Sequence, residues 1–140
     1  MRILLEGKKD FMIESNLSKT ADYDWIALMR KNGYDTVLFF LGTSNVEINK
    51  MRVRARVLEG GHDIADPIIE QRYQIGMSYL KGKWLDFSEA VLIDVSTHES
   101  RRMAELQNGR IVFKAIDCPS WVLSSLELAE RIELRKKPTR

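Results

Sequence analysis

The sequence predicts an α/β fold, a mostly parallel sheet flanked by helices. Three observations carry that reading. Val37-Leu38-Phe39-Phe40-Leu41 is an unbroken apolar run. An unbroken run reads as a strand buried on both faces, as in a parallel sheet covered by helices. Ala90-Val91-Leu92-Ile93-Asp94-Val95 is a second such run. Between the two lie two helical patterns, which is the alternation of an α/β layer fold.

The elements follow in order. Phe11 to Ser15 reads as a short strand entering a polar turn at Asn16 to Thr20. Asp22 to Lys31 reads as a helix with Trp25, Leu28 and Met29 on one face. Asn32-Gly33 stops it, because glycine takes the left-handed closing conformation freely. The Val37–Leu41 strand ends at Gly42-Thr43-Ser44-Asn45. Val46 to Leu58 is a second helix, closed by Glu59-Gly60-Gly61. Asp66 is a suitable N-cap for a third helix, with Pro67 at its first position and an end near Lys81. After the second buried strand, Asn108-Gly109 signals a hairpin between Met103–Gln107 and Arg110–Lys114. Cys118-Pro119 opens a last amphipathic helix bearing Trp121, Leu126, Ala129 and Ile132. The order is βαβααβ, then ββα. The sheet reads as short by an opening strand–loop–helix unit.

Size and composition bound the function. The chain has 140 residues, 44% of them apolar and 30% charged, which fits one globular domain over residues 1–140. No apolar run approaches the ~20 residues of a membrane span. The apolar part of Met1–Glu6 is too short for a secretory signal. A single cysteine, Cys118, permits no internal disulfide and points to a reducing cytoplasm. The net charge of +2 is too balanced to argue for nucleic acid. The basic residues cluster at Lys50–Arg56 and in a tail at 131–140. The first cluster lacks the interleaved aromatics of a stacking platform for RNA.

Candidate site residues come from helix geometry and strand ends. At 100° per residue from Ile68, Arg72 falls at 40°, inside the apolar side of the third helix. A guanidinium there needs a partner, either a structural carboxylate or an anion such as phosphate, which its planar fork suits. Arg52 and Arg56, four residues apart, share a side of the second helix between apolar stripes. They read either as a plain charged face or, with Arg72 and a Gly60-Gly61 hinge, as a mobile anion clamp. Glu14 and Ser15 end the first strand, where ligands sit in open α/β sheets. The same residues suit an ordinary turn. Asp94 ends a strand with weaker warrant. His62 and His98 make no local zinc pattern, and Cys118 beside Pro119 reads as a buried small residue.

Three segments resemble the zeta-toxin family of P-loop kinases. Phe11-Met12-Ile13-Glu14-Ser15-Asn16-Leu17-Ser18 is similar to that family's strand-and-turn block. The stretch from Gly33 to Gly42 is similar to its next strand. Arg52-Val53-Arg54-Ala55-Arg56-Val57-Leu58-Glu59-Gly60-Gly61-His62-Asp63-Ile64, continuing through Ile69-Glu70-Gln71-Arg72-Tyr73, resembles its lid. The likeness spans residues 11 to 122, ending in Pro119-Ser120-Trp121.

The resemblance implies ATP- or GTP-dependent phosphorylation, with Mg2+, of a hydroxyl on a small molecule such as a UDP-amino sugar. It makes Arg56 and Arg72 the catalytic phosphate contacts and Arg52 a phosphate-binding neighbour. It places Glu14, Ser15 and Asn16 at the acceptor. It implies no metal ligand within this sequence. An antitoxin, or self-association through an open sheet edge, would be the protein partner.

The family opens with Gly-x-x-x-x-Gly-Lys-Ser/Thr, which cradles phosphates. Here Glu6-Gly7-Lys8-Lys9-Asp10 lacks the first glycine and the hydroxyl residue. The family's catalytic aspartate belongs to that opening portion too. This chain is therefore expected to be inactive alone. The alternatives are a catalytically dead nucleotide or nucleotide-sugar binding module, or a partner-binding fragment.

Overall fold

The computed structural model describes residues 9–136. The reading of Met1–Glu6 as no secretory signal lies outside them, as do most of the Glu6–Asp10 segment and the end of the basic tail. Helix α1 spans Thr20–Lys31, strand β1 Val37–Gly42, helix α2 Val46–Leu58 and helix α3 Asp66–Lys83. A 3-10 turn at Trp84–Asp86 leads into β2, Glu89–Asp94. Strands β3, Arg101–Gln107, and β4, Arg110–Lys114, precede helix α4, Ser120–Lys136.

The four strands form one sheet in the order β1-β2-β3-β4. β1 pairs with β2 in parallel, in the register Val37 to Glu89 and Gly42 to Asp94. The β2–β3 and β3–β4 pairs are antiparallel. The sheet is thus mixed rather than mostly parallel. For β3–β4 the reason is local: Asn108 and Gly109 both take positive φ, 48° and 75°, which the two central residues of a tight hairpin turn require. Such a tight connection forces antiparallel pairing.

Two further expectations are corrected. β1 is buried on one face only. Leu38, Phe40 and Gly42 point inward, while Val37, Phe39 and Leu41 are 47%, 62% and 61% exposed. The apolar run signals affinity for a covering layer, and no described element covers that side. Residues 11–15 form no strand. Phe11 instead sets its ring edge-on to Trp25 at 5.7 Å and Tyr34 at 5.8 Å. Those contacts hold the segment against α1 and the approach to β1, with no sheet partner.

The core lies on the inward face. Leu38, Phe40, Leu92, Ala104 and Leu106 meet Tyr23 of α1, Leu80 of α3 and Val122, Leu126 and Ala129 of α4. Trp84 is buried among them, and its indole N–H donates to the Ser125 carbonyl at 2.8 Å.

Two helices end in the same glycine motif. In α1, Tyr34 N–H reaches Met29 O and Gly33 N–H reaches Arg30 O. In α2, Gly61 N–H reaches Arg56 O at 2.8 Å and Gly60 N–H reaches Val57 O. Both are Schellman closures, with Gly33 at φ +84° and Gly60 at +93°. Gly60-Gly61 is therefore a helix stop. Asp66 begins α3 inside its first turn instead of capping it, and Ala65 takes the cap position. The basic segment read as a tail from Arg131 starts within α4, where Arg131 faces Glu127 at 3.7 Å.

Candidate functional site

Between Phe11 and α1, short polar side chains fold the backbone into a compact loop. Ser15 Oγ donates to Asp22 Oδ2 at 2.9 Å and accepts from Leu17 N–H at 3.0 Å. Asn16 Oδ1 accepts from Ser18 Oγ at 2.7 Å and from Ser18 N–H at 3.3 Å. Leu17 takes φ +49° between them. Such side-chain-to-backbone bonds are how Ser and Asn build turns. The loop lies against α3 at Gly76, where an added Cβ would stand 3.7 Å from the Asn16 carbonyl oxygen.

Arg72 is one turn of α3 earlier. It is exposed, not buried in the apolar side. The buried residues of α3 are Ile69, Gly76 and Leu80. Their mean direction is about 60° away from Arg72 on the helix, so the guanidinium clears the core. It reaches a cavity of about 350 Å³ lined by Glu14, Ser15, Asn16, Ser18, Lys19, Asp22 and Arg72. Residues distant in sequence, Glu14–Asn16 and Arg72, thus share one polar site.

Among the described residues, no hydrogen bond or ion pair engages the side chain of Glu14 or of Arg72. Ser15, Asn16 and Asp22 hold the loop's shape. The site therefore offers an arginine fork and a lysine ammonium for an anion. It also offers a carboxylate acceptor for a hydroxyl or amide N–H.

The neighbouring residue fixes α3 to the sheet. Tyr73 OH donates to the Thr43 carbonyl at 2.8 Å, just beyond the carboxyl end of β1. Burial is the main cause pushing the Tyr73 phenol up, Asp94 adds to it, and the Thr43 side chain opposes it. Arg52 donates to the Val95 carbonyl at the end of β2. Lys50 is buried and bonds both Glu47, at 2.7 Å, and Glu70. Those two carboxylates hold its ammonium well above the usual lysine range. Arg54 pairs with Asp66 at 2.8 Å. The α2–α3 hairpin is thereby pinned at four points.

The predicted arginine clamp does not converge. Arg72 lines the cavity, Arg52 is bonded to the sheet, and Arg56 is exposed and outside the lining. Asp94 accepts from Ser96 N–H at 2.8 Å and from its hydroxyl, so it braces the loop after β2. Cys118 is half-buried, its thiol pointing to the Ala115 carbonyl at 3.2 Å and pushed up chiefly by burial. Among the described residues no three His, Cys, Asp or Glu side chains converge as a metal site.

Sequence reasoning missed Lys19 and Asp22 as lining residues and Lys50 as a buried brace. The first two lay within reach, since a polar turn running into a helix start places its flanks together. Nothing in a run of basic residues marks Lys50 as the buried one.

These features define a mixed α/β domain with a polar cavity between an amino-terminal loop and α3. No helix among the described residues is long and apolar enough to cross a membrane. No family model matches the chain, and no solved structure matches it. An uncharacterized protein of Haemophilus influenzae is 40% identical over 63 residues, 45% of this chain and 45% of that protein. The match thus spans less than half the length of that relative.

Proposed function

We propose that this chain is the acceptor-binding part of a zeta-toxin-like kinase, or its remnant. It binds a hydroxyl-bearing anionic small molecule such as a UDP-amino sugar. One observation carries the reading: Glu14–Asn16 and Arg72, expected from the resemblance to face acceptor and phosphate, line one cavity. Arg72 and Lys19 suit a phosphate of the ligand, and Glu14 suits a sugar hydroxyl or amide.

Phosphoryl transfer from ATP or GTP with Mg2+ needs a phosphate loop that these 140 residues do not contain. In a kinase that has one, Arg56 would join Arg72 at the transferring phosphate, and an antitoxin would be a partner. The bonding of Arg52 to the sheet favours the second reading for this chain alone, a nucleotide-sugar binding module without catalysis.

Calorimetric titration of the purified chain with UDP-N-acetylglucosamine, and separately with magnesium-ATP, tests this. The sugar nucleotide is expected to bind, and Arg72→Ala is expected to weaken it about 10- to 100-fold, the loss of a charge-assisted contact. Glu14→Gln should weaken it less. Absence of binding at about 1 mM, or binding indifferent to Arg72→Ala, would overturn the proposal.

A further inference from the structure

The outer edge of β1 carries a surface independent of the cavity. Among the described residues nothing pairs with that edge. The inner edge is used: Thr36 O accepts from Glu89 N–H at 3.1 Å and Gly42 O from Val95 N–H at 2.9 Å. A strand residue's N–H and C=O point to the same side, and sides alternate along the chain. The even positions of β1 therefore face β2. Val37, Phe39 and Leu41 turn both backbone groups to the free edge.

These are also the residues whose side chains stand 47%, 62% and 61% exposed. Together they present roughly 300 Å² of apolar surface, within the range of the largest, often functional, patch on a monomer. Free strand edges in monomers are usually protected by a lysine, a proline, a bulge or a covering element. β1, Val-Leu-Phe-Phe-Leu-Gly, has no charge and no proline.

We infer that β1 pairs with β1 of a second copy of this chain, antiparallel, about a two-fold axis at Phe39. That register is self-complementary. Phe39 faces Phe39 of the second copy and Val37 faces its Leu41. Each facing pair exchanges both N–H···O bonds, so all six odd-position donors gain acceptors. All six exposed side chains then lie on one face as cross-strand neighbours. Asp35 falls beside Thr43 of the second copy, so no like charges meet. The sheet becomes continuous across eight strands. A standard interface buries about 800 Å² per partner. Edge and patch together supply only part of that, so the dimer dissociates on dilution.

Sedimentation equilibrium of the full chain, up to about 200 μM, reads the result. The mass is expected to rise with concentration from 16.2 kDa toward twice that value. Phe39→Lys and Phe39→Glu should each remain monomeric, because each sets like charges opposite one another. Mixed one to one, they should form the heterodimer, since only a register placing residue 39 against itself joins the two charges. Val37→Pro should keep the circular dichroism of the wild type, as the lost N–H points away from β2. It should weaken association at least tenfold. A wild type that stays monomeric at about 200 μM, a Phe39→Lys variant that dimerises unchanged, or a mixture of the two charged variants that stays monomeric would each overturn the inference.

Discussion

Replacing Gly42 with alanine should destabilise the protein, and the structure indicates by how much. Gly42 ends β1 on its inward face. A Cβ there would stand 2.7 Å from two atoms of the Trp121 ring, Cη2 and Cζ2, and 2.9 Å from Cζ3. Carbon atoms in contact sit about 3.5–4.0 Å apart, so the overlap is close to 1 Å. Trp121 has little room to yield. It is 8% exposed, and its ring lies 5.8 Å from that of Phe40. Overpacking of this kind costs about 1–3 kcal/mol. Alanine's better strand entropy recovers about 0.5–1 kcal/mol. The net loss is about 1 kcal/mol. Gly82 supplies the control: it lies on α3, is exposed, and has nothing within 4 Å of a built Cβ. Gly82→Ala should stabilise by about 0.5–1 kcal/mol through helix propensity alone. Urea unfolding followed by circular dichroism separates the two. The midpoint should fall by up to about 1 M for Gly42→Ala and rise for Gly82→Ala. A Gly42→Ala midpoint at or above that of the wild type would refute the packing argument.

Tyr23 is 4% exposed and its hydroxyl meets no partner among the described residues, so Tyr23→Phe should stabilise by about 1 kcal/mol at pH 7. Burial, with smaller contributions from Asp22 and Tyr79, pushes its phenol up to about 12. An unfolded tyrosine ionises near pH 10 while Tyr23 holds its proton to about 12, so its titration costs the fold nothing below pH 10 and lowers stability progressively as the pH rises from 10 toward 12. Denaturant titrations at pH 9 and above should show Tyr23→Phe losing less stability than the wild type, by about 2 kcal/mol across the window; equal slopes would refute the assignment. Gly60→Ala meets no atom within 4 Å yet must hold φ +93°, so it should cost about 1 kcal/mol through the backbone alone, read as a lower thermal midpoint.

Local signals in the sequence located the elements well. Asn32-Gly33 closes α1 and Glu59-Gly60-Gly61 closes α2, and Asn108-Gly109 turns the hairpin. Each depends on one or two residues whose backbone preferences are intrinsic. What failed depends on distant neighbours. Whether Phe39 is covered depends on what lies across the sheet, and the composition of β1 is the same either way. Arg72 sits at the border of the apolar arc, where a few tens of degrees decide between core and cavity. Phe11–Ser15 has strand-forming residues, but a strand needs an edge to join, and Phe11 finds Trp25 and Tyr34 instead. The loop residues of the candidate site were legible because Ser and Asn make the same short bonds wherever they meet such a turn.

The strand order has a consequence for how the chain is made. β2, β3 and β4 are joined by short connections and can assemble as soon as they exist. β1 must wait for β2 across residues 43–88. Closing that span costs about 2 kcal/mol more entropy than closing the short loop between β2 and β3. At a synthesis rate of roughly 5–20 residues per second, Val37–Gly42 emerges several seconds before the strand it must join. During that interval the most apolar segment of the protein has neither a neighbour in the sheet nor the tryptophan of α4 to lie against. Exposure of this strand during synthesis is thus a hazard of the chain order, separate from the strength of the finished core.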